Sequence, residues 1–320
     1  MSTAPHDETA AVPGFDLGRV VAELRAARTE WRTAQDRPRE PGGRELPSRE
    51  ALKDIAQGLR GALFPMRLGP PDLRQESEDY YVGHTLDVVL NALLGQVRLE
   101  LRHGARQQGW RDLGEIDVEA RALRVVRSFA AALPGIRRLL DSDVQAAFHG
   151  DPAARSVDEV LLCYPGIQAM VLHRIAHQLY RLEVPLLARL VAELAHGETG
   201  IDIHPGAQIG AGFFIDHGTG VVIGETAVIG ERVRLYQGIT LGAKRFSTDE
   251  QGHLVKGQPR HPVVEDDVVI YAGATILGRI TIGRGSSIGG NVWLTHSVPP
   301  GSHISQATLR QDTVGDGSGL

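Results

Sequence analysis

Between residues 201 and 300 an aliphatic side chain recurs at every sixth position, and that period constrains the fold more than any other feature of the chain. One run holds Ile203, Ile209, Ile215 and Val221. A second, in shifted phase, holds Ile223, Ile229, Leu235 and Leu241, and a third holds Val264, Ile270, Ile276, Ile282, Ile288 and Leu294. Glycine follows directly at Gly210, Gly224, Gly230, Gly283 and Gly289. A hexapeptide repeat is the signature of a parallel β-helix, in which each unit makes one short flat face and three units close a triangular coil. The aliphatic residue points to the axis, and the small residue beside it lets the chain turn tightly.

The rhythm breaks twice. In "FFIDHGTGVVIGE", Phe213 to Glu225, eight residues separate Ile215 from Ile223 instead of six. After Leu241 the polar stretch "GAKRFSTDEQGHLVKGQPRHPV" is too long to be a coil, so a loop over 243–262 is expected to protrude. Long loops ejected from a regular solenoid commonly carry function. Chemistry is therefore sought first at Asp216-His217 and at Arg260-His261.

Upstream the period is helical. Residues 48–200 read as an α-helical domain, with Ser48 as N-cap of "SREALKDIAQGLRGALF" and later helices through "SVDEVLLCYPGIQAMVLHRIAHQLYRL" and "VPLLARLVAELAHGE". Residues 1–47 read as an extension, partly helical or disordered, with "QDRPREPGGRELP" as a flexible link. Residues 301–320 read as a tail. A net charge of -5 argues against a nucleic-acid surface. A single cysteine, Cys163, rules out an intrachain disulfide framework and fits a reducing cytoplasm. No apolar run reaches the ~18 residues of a membrane span, and no signal peptide is visible. The expectation is a cytoplasmic α+β protein with neither nucleic-acid nor membrane partners.

His217 is the candidate general base, since histidine titrates near neutral pH and can take a proton from an alcohol. Such a ring is usually oriented by a carboxylate on its far nitrogen. Asp216 is adjacent in an extended chain, so the two side chains should point to opposite faces. Asp202 lies fifteen residues earlier, close to one full coil, and is the better orienter. The alternative is a solvated coil corner. Arg260 offers a fork suited to a carboxylate, with His261 beside it. His204 and His253 show no recognisable ligand spacing, so no metal is expected.

At these residues the sequence resembles the serine acetyltransferases. The match is carried by "GIDIHPGAQIGAGFFIDHGTGVVIGETAVIG", "LYQGITLGA", "RHPVVEDDVVIYAGATILGRITIG" and "NVWLTHSVPPGS". The resemblance implies a helical domain followed by a left-handed β-helix, and transfer of acetyl from acetyl-CoA to the hydroxyl of L-serine, the first step from serine to cysteine. It places the catalytic histidine on His217 and its aspartate on Asp202. It places the serine-binding groups on Asp216, Arg260, His261 and Asp151, which otherwise reads as a helix N-cap before Pro152. Contacts to CoA would fall on Gly242, Ala243 and Ala272. No bound cofactor is implied. Trimers with active sites between neighbouring β-helices, often paired into hexamers, are implied as well.

The chain departs from that pattern in three places. The loop after Leu241 is longer, residues 1–47 and the helical region exceed the compact form, and the tail "QDTVGDGSGL" ends in Leu320 where members that dock into O-acetylserine sulfhydrylase usually end in isoleucine. Docking of that partner through the tail is the weaker expectation. Three rivals stand beside the resemblance: an acyltransferase on the same scaffold with another hydroxyl acceptor, a non-enzymatic assembly subunit, and a zinc carbonic anhydrase on a similar coil. Arg260 and the two acidic residues favour an amino acid over a neutral sugar.

Overall fold

Gly200 is where the chain changes period. In the computed structural model, which describes residues 15–35, 46–107, 115–245 and 248–306, Gly200 is the left-handed cap (φ 69°) that ends the last helix before the first strand. The tail ending in Leu320 and most of the link before Leu46 lie outside the described residues.

Two units divide the chain at Leu46. In the first, α1 (Leu17–Ala34) is capped by Asp16, whose carboxylate accepts from the Arg19 N–H. The second begins with α2 (Arg49–Leu63), capped by Ser48 and burying Leu52, Ile55, Ala56 and Leu59 on one face. After it come α3 (Pro65–Leu68), α4 (Glu78–Gln107), α5 (Glu115–Gly150, which runs through Pro134), α6 (Val157–Cys163), α7 (Pro165–Arg181) and α8 (Pro185–Thr199). The sequence reads α6 and α7 as one helix. The structure breaks it at Tyr164 (φ -81°, ψ 120°), because a residue before proline is pushed out of the helical region. No helix of the described residues is long and apolar enough to cross a membrane.

From Asp202 the chain winds into a left-handed parallel β-helix. The first coil holds β1 (Asp202–Ile203), β2 (Gln208–Ile209) and β3 (Phe214–Ile215), and the second β4 (Val222–Ile223), β5 (Val228–Ile229) and β6 (Arg234–Leu235). The third holds β7 (Thr240–Gly242), β8 (Val263–Val264) and β9 (Val269–Ile270), and the fourth β10 (Thr275–Leu277), β11 (Thr281–Ile282) and β12 (Ser287–Ile288). β13 (Trp293–Leu294) and β14 (His303–Ile304) complete the stack. Three all-parallel sheets result: face A in the order β1-β4-β7-β10-β13, face B as β11-β8-β5-β2, and face C as β14-β12-β9-β6-β3. The second residue of every strand from β1 to β13 is buried on the axis, as the six-residue period requires. β14 carries the wall on to Ile304, where Pro299-Pro300 hides the strand in the sequence.

The helices are joined to the first coil by a buried ion pair. Asp143 of α5 and Arg174 of α7 meet at 3.0 Å with side chains 0% and 5% exposed. Asp143 also accepts from the Phe213 N–H, and Arg174 donates to the carbonyls of Ile209 and Gly210. Every charge in this contact is paired, which is the condition for burying it.

Candidate active site

The corner between faces C and A explains the slip. Ile203 pairs with Ile223, twenty residues on, whereas Ile223 pairs with Leu241, eighteen on. The two extra residues form a turn in which His217 (φ 59°), Gly218 (φ 89°) and Gly220 (φ 77°) are left-handed. A side chain at Gly218 is excluded twice over, by that backbone and by Ile201 Cδ1 lying 2.5 Å from where a Cβ would stand. His217 is projected from the wall with its side chain 69% exposed.

This turn corrects one expectation. Asp216 and His217 do not point to opposite faces, because a left-handed residue breaks the alternation of an extended chain. Asp216 Oδ1 lies 3.8 Å from His217 Nδ1. Asp202 makes no hydrogen bond or ion pair with His217 in this structure; its carboxylate faces Glu193 and His196 of α8.

Around Asp216 the fold gathers residues from three elements. Arg234, one coil along on β6, donates to Asp216 Oδ2 at 3.1 Å and stacks over Phe214 and Tyr236. Asp151, just past α5, accepts from Tyr164 Oη at 2.5 Å and from the Ala153 N–H at 2.8 Å. It caps no helix; Ser156 caps α6. The Tyr164 hydroxyl and the Ala153 N–H hold the Asp151 carboxyl below the usual range, with smaller contributions from Arg234 and His217. The same bond pushes the Tyr164 phenol up to about 12, so it stays a neutral donor. Two carboxylates against one guanidinium leave this cup with one net negative charge, suited to an ammonium group.

Arg260 and His261 lie at another corner, between faces A and B. Arg260 Nη2 donates to Glu225 Oε2 at 2.6 Å, and Glu225 also accepts from Tyr180 Oη at 3.0 Å. Burial works against the Glu225 carboxylate, but Arg260 and Tyr180 outweigh it and leave the group below its ordinary range. The Thr226 N–H donates to His261 Nδ1 at 3.0 Å, so the neutral ring carries its proton on Nε2. Burial, then Arg260, pushes the His261 imidazole down to about 4. At neutral pH His261 is thus a hydrogen-bond donor through Nε2. Arg279 donates to the carbonyls of Thr226 and His261, and Glu225, Arg260 and Arg279 together leave this corner with one net positive charge.

A cleft of about 290 Å³ adjoins it, lined by Lys244, Arg245, Gln258, Arg260, Arg279 and Thr295 among others. Gly242, at the end of β7, and Ala243 belong to this corner, while Ala272 lies at the corner between faces C and A. Among the described residues no hydrogen bond or ion pair joins the Asp151–Asp216–His217 group to the Arg260–His261 group. Face A separates them. Tyr164, Arg234, Glu225 and Thr226 were not singled out from the sequence. The Tyr-Pro step inside a helical run is the signal that could have drawn attention to Tyr164.

Known proteins resemble the chain in sequence and in fold. Residues 261–296 match the family model described as bacterial transferase hexapeptide (six repeats). The chain is 61% identical over 275 residues to a plasmid serine acetyltransferase of Synechococcus elongatus, covering 86% of each chain. It is 48% identical to the serine acetyltransferase of Bacillus subtilis over 52% of this chain and 73% of that one. Among solved structures, serine acetyltransferase 1 of Entamoeba histolytica in complex with L-cysteine superposes with a TM-score of 0.67 at 37% identity, covering 79% of this chain and 86% of that chain.

Proposed function

The chain belongs to the serine acetyltransferase family, and we propose that it moves the acetyl group of acetyl-CoA directly onto the hydroxyl of L-serine, with His217 as general base. The observation that carries this reading is the pair of corners with opposite net charge, one bearing an exposed histidine and the other a fixed imidazole donor. A zwitterionic amino acid needs both. Asp151 and Asp216 take the ammonium of serine, and Arg260 takes its carboxylate through guanidinium N–H groups beyond those held by Glu225. The cations of the cleft, Lys244, Arg245 and Arg279, suit the phosphates of CoA, with Gly242, Ala243 and Ala272 along its path.

In the transfer, His217 removes the hydroxyl proton as the serine oxygen attacks the thioester carbon. The oxyanion accepts a hydrogen bond from His261 Nε2–H, and collapse expels the CoA thiolate, which takes the proton from His217. Asp202 steadies the His217 ring. Its support is the spacing of fifteen residues, and Ile201 packing on Gly218 sets the two segments side by side.

The two corners of one chain lie a face apart, so the complete site is assembled between copies of the chain, the His217 corner of one meeting the His261 corner of the next around a three-fold axis. Release of CoA from acetyl-CoA and L-serine, compared between wild type and His217→Ala, tests the chemistry. The expected loss is about 10²–10⁴-fold; a folded wild type with no serine-dependent release would refute the reading. Co-refolding inactive His217→Ala with inactive Arg260→Ala tests the shared site. Randomly mixed trimers should regain about a quarter of the wild-type rate, because one intact corner of each kind then meets. No recovery would place the whole site within one chain.

A further inference from the structure

The last two turns of α8 and the first strand bring together three side chains that the transfer reaction does not otherwise unite. Glu193, His196 and Asp202 each offer one ligand atom, all lying within 4.8 Å of one another. Glu193 and His196 stand three residues apart on one helix face, the Glu-x-x-His spacing by which helical bundles present metal ligands. The left-handed cap at Gly200 then turns the chain so that Asp202 of β1 faces them. Glu193 Oε1 is held by Arg189 at 2.8 Å, which fixes the carboxylate and leaves Oε2, 3.5 Å from His196 Nδ1. Donor atoms bound to one small cation at ~2.1 Å stand roughly 3.0–3.5 Å apart, so a slight side-chain rotation closes the set. Two carboxylates against one guanidinium leave the cluster one net negative charge, and His196 is exposed, so the cluster is open to solvent on that side.

We propose that Glu193, His196 and Asp202 form a binding site for a divalent transition-metal ion of the Zn²⁺ class, and that the bound ion holds the Asp202 carboxylate away from His217. One imidazole and two carboxylates are ligands that Zn²⁺ accepts, with a further position left for water. The ion is an inhibitor here and takes no part in acetyl transfer. The inhibitory half of the proposal rests on the orienting role assigned to Asp202; the binding half does not.

The test is isothermal titration of the untagged, chelator-stripped full chain with Zn²⁺, beside the transfer rate followed by loss of thioester absorbance. One ion per chain is expected, with affinity at least tenfold weaker in His196→Ala and in Glu193→Gln, both of which keep the zinc-free rate. Inhibition of the wild type should track the binding isotherm, and the two variants should shift with it. Absence of binding, or equal binding by wild type and both variants, would overturn the site. Binding that leaves the rate unchanged would overturn the link to Asp202. A wild type with no serine-dependent turnover would instead refute the proposed function, while the titration still reports on the site.

Discussion

Gly224 has no side chain because the His261 ring occupies the space where its Cβ would stand. Replacing it with alanine should push the imidazole out of line with the Thr226 N–H and remove the Nε2–H donor from the site. With His261 as the proposed oxyanion donor, its loss lowers kcat by about 10²–10³. The expected outcome for Gly224→Ala is therefore a fall of that order in kcat at little cost in serine KM, checked by steady-state kinetics with circular dichroism as the folding control. At this scale the sequence was a partial guide. The two-residue slip and the ejected loop pointed to the corners that hold Asp216, His217, Arg260 and His261. Their partners were hidden, because Arg234 reads as one more outward-facing position of the repeat until coil stacking sets it beside Asp216. Tyr164 was hidden by a helix that proline breaks.

Between elements, the Asp143–Arg174 pair governs how the helical region grips the first coil. Removing one partner leaves an uncompensated buried charge, which costs about 3–5 kcal/mol. Asp143→Ala should lower the urea midpoint by that equivalent, while an Asp143→Leu, Arg174→Met double variant should recover part of the loss. A midpoint unchanged in the single variant would show that the pair is dispensable. The strands themselves were legible, since the period of six assigns each aliphatic residue to the axis and the structure buries them there. The helical junction was less so: nothing in the local pattern of α5 or α7 says that Asp143 and Arg174 face each other, because that contact exists only once both helices pack on Phe213 and Ile209.

For the whole molecule, four histidines set a direction for stability against pH. Burial lowers His173 well below its ordinary value, lowers His177, and pushes His204 and His261 down to about 4. Between roughly pH 6.5 and 4 the unfolded chain therefore binds more protons than the folded one at these groups, and stability falls as pH falls through that window. Asp143 and Glu100, both raised by burial, oppose the trend with two groups. Melting temperatures measured from pH 7 to 4 should decline, and His204→Gln should flatten the slope; a flat profile in the wild type would contradict the assignment. The register of the β-helix bears also on how the chain reaches this state. Each strand finds its partner sixteen to twenty residues away, except across the loop, where Leu235 pairs with Ile270, thirty-five residues on. Closing a loop twice as long costs only about 0.6 kcal/mol more, so assembly can advance coil upon coil from the helical end like a zip, with one slower tooth where the loop that carries Arg260 leaves the wall and returns.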